Sequence, residues 1–192
     1  MTTETAPRQQ PWKPQTTIED NPIGLPKDVA EQIAPHLDEH VASLFVQFHQ
    51  YQKHHWLVEG PQFRDLHKFL QKSYEKVHDD LDDIAERMTA LGAFPTSSPA
   101  NQAKIAYVEH EPEGEFHIRE MLTADLNAEG RIAERMRTTI ELCFRLGDYG
   151  TETLLKEILL RVEDRAHELD HFLGTDSLGM FEVTGEQPGE TS

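Results

Sequence analysis

The stretch His54–Glu86, HHWLVEGPQFRDLHKFLQKSYEKVHDDLDDIAE, sets histidines and carboxylates at helical spacing. A helix is expected to open at the Gly60-Pro61 turn, where the fixed φ of proline suits a first helical position, and to stop near Gly92. That is about 30 residues, or ~45 Å at the α-helical rise. Phe63, Leu66, Leu70, Tyr74, Val77, Leu81, Ile84, Met88 and Leu91 recur every three or four positions and define its packing face. His67, Gln71, His78, Asp82 and Glu86 run together along one edge of that face. Imidazoles and carboxylates in such a row suit a transition-metal site, and the plain alternative for each is the solvated flank of an amphipathic helix.

Upstream, Leu37, Val41, Leu44, Phe48, Tyr51 and His55 fall on a second helical stripe, which turns His55 toward the core and its neighbour His54 away from it. A core-facing imidazole needs a hydrogen-bond partner or a metal. The rest of the chain divides into an irregular segment over 1–26, a helix over about 27–57 with Pro35 as a kink or the true start, a long crossover from Ala93 to Glu115, helices over about 116–146 and 149–173, and a Gly-rich acidic tail over 175–192. The crossover carries Pro95, Pro99 and Pro112, with a short helical turn expected around Asn101–Ile105. No strand and no repeat are expected. Two short-looped helix pairs joined by one long connection describe an all-α, ferritin-like four-helix bundle over 27–174.

His55-Trp56 before a glycine turn, Phe63, His67, Asp82-x-x-x-Glu86-Arg87 and the Leu91-Gly92 end together resemble the signature of Dps, the ferritin-like "DNA-binding protein from starved cells" family. The resemblance continues through the crossover, a third helix with Asp125 and Arg137, and the Leu146-Gly147-Asp148 junction, and it covers about residues 35–174. It implies subunits that assemble as hollow dodecamers, with ferroxidase sites between two-fold-related copies. His55 and His67 of one copy would face Asp82 and Glu86 of another. Spacing agrees: His67 and Asp82, on one helix, lie about 22 Å apart along its axis and cannot share a metal within one chain. Antiparallel pairing of two copies, crossing near residue 75, would bring them together. The resemblance further implies oxidation of Fe²⁺ by H₂O₂ or O₂, two irons per site, storage as ferric oxide and protection from oxidative stress. Trp56, beside His55, is a candidate electron relay, with a large packing side chain as the alternative.

The family usually places an aspartate ligand where this chain has Gln71, a poor transition-metal ligand. His78, one turn before Asp82, is the candidate replacement, and an imidazole there favours Zn²⁺ alongside Fe²⁺. Carried over from the family, an ion-access pore is expected near the start of the last helix, from Asp148, Glu152 and Glu157, and mineral nucleation at Glu75, Asp79 and Asp83. Glu75-x-x-His78 and Glu168-x-x-His171 match half of an intrachain di-iron set, but their registers differ by about 14 Å. The pairs His36/His40 and His167/His171 read as surface or interface histidines.

Composition fits one domain with a sizeable core: 192 residues, no apolar run of membrane-spanning length and a net charge of −17. The opening residues have no apolar stretch of signal-peptide type, and the lone Cys143 reads as a small packed residue suited to a reducing cytoplasm. Arg8 and Lys13 are the only cations of the N-terminal segment before Pro26, and none follows Leu173. Twelve copies would carry roughly −200 charges, a field that draws metal cations and repels DNA. Direct DNA binding or condensation is therefore the less favoured reading, and a zinc-loaded structural shell a third.

Overall fold

The computed structural model describes residues 10–174, which form five helices and no strand. They are α1 (Lys27–Leu57), α2 (Phe63–Ala90), α3 (Pro99–Ile105), α4 (Ile118–Leu146) and α5 (Tyr149–Leu173). The four long helices follow the expected segments closely, except that Pro61 lies in the turn and not at the first helical position, α2 starting at Phe63. Pro35 does not start the first one: α1 begins at Lys27 behind Pro26 and runs through Pro35. The crossover turn extends to Pro99, whose missing N–H costs nothing in the first turn of α3.

The short turn Val58–Gln62 folds α2 back along α1, and Gly147, with φ 78°, folds α5 back along α4. These hairpins pack through the α1–α4 and α2–α5 contacts, and α3 lies across α1. Leu37 and Leu44 of α1, Leu70 and Ile84 of α2, Ile132 and Met136 of α4, and Ile158 and Val162 of α5 fill the space between them. Cys143 belongs to this core, and burial pushes its thiol up to about 12. Residues 10–26 are non-helical but docked: Glu19 N–H donates to Gly92 O at 2.8 Å. A Cβ at Gly92 would stand 2.3 Å from Glu19 O, so glycine is needed there for space as well as for its φ of 83°.

No described helix is long and apolar enough to cross a membrane. Residues 175–192 and Arg8 lie outside the described residues.

Candidate metal centre

The α1–α2 turn brings His55 and His67 ring to ring, stacked with centroids 3.7 Å apart at 23°. Each Nδ1–H donates to the other residue's backbone carbonyl, His55 to His67 O at 2.9 Å and His67 to His55 O at 3.0 Å. Carbonyls only accept, so the proton of each neutral ring sits on Nδ1 and the Nε2 lone pair remains for a ligand. A metal-binding histidine is normally oriented in this way, by a hydrogen bond from its other nitrogen. Aromatic rings fix the pair from outside. Phe63 lies over His67 at 4.8 Å, and Tyr74 meets His55 edge-on at 5.4 Å. Phe48 carries the cluster on, to Tyr74 at 5.9 Å and to His78 at 5.7 Å.

Farther along α2, Gln71, His78, Asp82 and Glu86 are exposed on the edge expected for them, with Gln71 Nε2 donating to Glu75 at 2.9 Å. The continuous helix between His67 and Asp82 holds the two apart. Among the described residues no group of three or more His, Cys, Asp or Glu side chains converges on one point within the chain. Trp56 is 67 % exposed beside the histidine pair.

The orientations of His54 and His55 are the reverse of the expectation. His54 is fully buried, bonded to Asp125 Oδ2 at 2.7 Å and Glu111 Oε1 at 2.8 Å, whereas His55 is half-buried. Burial opposes its charge, but the two carboxylates outweigh burial and raise its pKa. The cause is helical drift. Seven residues turn a straight helix about 20° short of two full turns. Over successive heptads the row Val41–Phe48–His55 moves out of the core, while the row His40–Gln47–His54 stays buried.

Sequence reasoning also missed a charged network inside the bundle. Arg165 of α5 donates from Nε to Glu129 Oε1 of α4 at 2.7 Å and from Nη1 to Asp80 Oδ2 of α2 at 2.9 Å. Tyr51 O–H of α1 donates to the same Glu129 oxygen at 2.8 Å, and Arg161 reaches Asp80 Oδ1 at 2.6 Å. Asp80 breaking the Val77–Leu81–Ile84 face was the one visible sign. The Glu75/His78 and Glu168/His171 elements, by contrast, lie outside the bundle interior with exposed side chains.

Of the three pore candidates, Asp148 is 2 % exposed and bonded at Oδ1 to Arg87 Nη2 (2.7 Å) and to Thr151 N–H (3.0 Å), a helix cap and an interhelical clamp. Glu152 is buried and paired with Lys156, and Glu157 is exposed. Glu75, Asp79 and Asp83 are exposed on α2, with Asp83 3.5 Å from Arg161. His36 stands 3.8 Å from Glu39, and the Nε2 atoms of His167 and His171 are 3.1 Å apart at the end of α5. His40 is not at the surface: it is buried between Tyr107 O–H (2.6 Å) and Thr139 Oγ1 (2.8 Å). Burial and then Arg135 lower its pKa to about 3.

Comparison with known proteins agrees with this architecture. A family model described as a ferritin-like domain matches residues 35–178. A DNA protection during starvation protein from Halobacterium salinarum is 42 % identical over 156 residues, 81 % of this chain and 86 % of that protein. A nutrient stress-induced DNA-binding protein from Synechococcus is 41 % identical over 161 residues, 84 % of this chain and 92 % of that one. The crystal structure of an archaeal Dps homologue from H. salinarum matches with a TM-score of 0.82 and 36 % identity over 94 % of this chain and 98 % of its own. The chain belongs to the Dps family of ferritin-like proteins.

Proposed function

We propose that the chain is a ferroxidase that oxidises Fe²⁺ at sites shared between two copies and stores the ferric product inside a dodecameric shell. Iron storage and protection are the general role that family membership supports. The observation that carries the finer reading is the reciprocal lock of His55 and His67, which leaves two Nε2 lone pairs for a ligand, with no cluster of three or more metal-binding side chains among the described residues to complete a site. Antiparallel pairing of α2 helices about residue 75 sets Asp82 and Glu86 of a second copy against those nitrogens. In that register His78 of the second copy faces Gln71, next to Glu75, where it stands in for the missing carboxylate.

Two Fe²⁺ ions are the substrates. They give up two electrons to H₂O₂, which takes up two protons and leaves as two waters, so no one-electron product is released. With O₂ as oxidant the same pair yields H₂O₂. Imidazoles from one copy and carboxylates from the other hold the ions at a fixed separation in a partly dry seam, and that positioning is the protein's part of the chemistry. Trp56 and Tyr74 flank the histidines as candidate electron relays, Tyr74 by direct ring contact. Glu157, and Glu152 once released from Lys156, are the candidates for drawing Fe²⁺ through the shell. Zn²⁺ competes for the same ligands, favoured by His78 in place of a carboxylate.

The test is complementation. His67→Ala and Asp82→Ala copies, each inactive alone, are unfolded, mixed and reassembled. A shared two-fold site predicts recovery of about a quarter of the wild-type activity, because half of the random dimers hold one intact site of two. No recovery from correctly assembled mixtures contradicts shared sites.

A further inference from the structure

The interior network places one residue from each long helix around a single guanidinium. Tyr51 comes from α1, Asp80 from α2, Glu129 from α4 and Arg165 from α5. Asp125, one turn before Glu129, adds a third buried carboxylate, bonded to Gln50 at 3.0 Å and to His54. Inward-facing carboxylates from several helices at mid-bundle are the donor type with which four-helix bundles build intrachain di-metal sites. Here the buried cation among them is Arg165, 3 % exposed, which engages both Glu129 oxygens and one oxygen of Asp80, while the more exposed Arg161 reaches the other Asp80 oxygen from outside.

We propose that Arg165 keeps divalent metal out of the bundle interior, filling the position at which Asp80 and Glu129 would otherwise bind a cation. Two buried carboxylates require a compensating positive charge, and a fixed guanidinium supplies it without exchange, redox change or exposure. This inference does not depend on the interface ferroxidase reading, since it concerns different residues and a binding event without turnover.

Cobalt(II), followed by its visible absorption and by equilibrium dialysis, is the probe for the assembled full-length protein. Arg165→Gln removes the charge and keeps a hydrogen-bonding amide. It is expected to bind about one Co²⁺ per chain beyond the wild-type stoichiometry, and to gain melting temperature with Co²⁺ where wild type gains less. Arg165→Lys, which retains a cation, is expected to keep the wild-type stoichiometry. A folded Arg165→Gln shell with wild-type Co²⁺ content overturns the proposal. Should Arg165→Gln fail to fold without metal, refolding is repeated with Co²⁺, beside the Asp80→Asn, Glu129→Gln, Arg165→Gln triple variant. Rescue of the single variant, with extra Co²⁺ absent from the triple one, supports the proposal, and failure of Co²⁺ to rescue it overturns it.

Discussion

Two sets of charged side chains, one inside the bundle and one along the edge of α2, use the same chemical groups to opposite ends. In the interior Asp80, Glu129 and Asp125 are buried and every one of them is bonded to a basic side chain, Arg161 and Arg165 for the first, Arg165 for the second and His54 for the third. Along the edge Asp82, Glu86 and His78 stand in solvent, and His67 at its end, with His55 of α1, uses its Nδ1 proton in a bond to a backbone carbonyl. The difference teaches where reactivity can lie. A carboxylate whose lone pairs are already committed cannot take a metal without breaking a buried pair, whereas the edge donors are exposed, as the proposed shared site requires.

Breaking the interior should give the largest effect on stability. Glu129→Ala leaves Arg165 buried without its bidentate partner and is expected to cost about 3–5 kcal/mol, measured by chemical unfolding. Asp82→Ala on the exposed edge should change stability by no more than about 0.5 kcal/mol. Equal costs at the two positions would erase the distinction between the regions.

Activity should show the opposite order. His67→Ala removes a proposed ligand, the ring stacked on His55 and the bond to His55 O, while His55 keeps the residue-67 carbonyl as its acceptor; Fe²⁺ oxidation should fall by more than about 100-fold, beyond the ~10–100-fold typical for losing only an orienting partner. His78→Ala should lower metal occupancy and rate less severely, with part of the loss restored by adding Gln71→Asp. An unchanged rate and occupancy in His78→Ala would remove it from the ligand set.

A pH scan sharpens the comparison for a buried histidine outside both sets. His40 donates from Nε2 to Thr139, whose own hydroxyl proton goes to Arg135 O at 3.2 Å, and so accepts from Tyr107 at Nδ1. Burial and then Arg135 depress its pKa from 6.5 to about 3. A depressed pKa means that the unfolded chain takes up the proton first, so the contribution is complete above pH 6.5 and is lost as pH falls toward 3. Between pH 7 and pH 4.5 this amounts to roughly 2–3 kcal/mol. His40→Gln should show a flatter acid limb in unfolding experiments, and a limb as steep as wild type would place the acid sensitivity elsewhere.

The fold was legible because its signals are periodic. The apolar stripe of α2, the Gly60-Pro61 turn and the Leu146-Gly147-Asp148 junction each mark a boundary through backbone chemistry that is local in sequence. The edge residues of α2 were legible for the same reason, since one helix fixes their common direction. The interior network was not, because Tyr51, Asp80, Glu129 and Arg165 lie on four helices and nothing local says that they meet. The reversal of His54 and His55 has a related origin: a phase error of about 20° per heptad is invisible over one turn and decisive after two heptads. Asp148 was read from its place at the start of a helix, where a capping role and a pore role use the same carboxylate.

The smallest expected effect concerns DNA. Lys13 is already paired with Glu19 and the other cation of that segment is Arg8, so few phosphates can be neutralised by it. A gel-shift assay at ordinary salt without divalent ions should show no retardation, and tight, salt-sensitive binding would reveal a cationic surface outside these segments.

Anomalous scattering at the iron edge from crystals soaked anaerobically in Fe²⁺ tests the central claim most directly. Iron is expected between two copies of α2, on the Nε2 atoms of His55 and His67 of one copy and the carboxylates of Asp82 and Glu86 of the other. Iron bound within a single bundle, with the His55 and His67 rings unliganded, would contradict it.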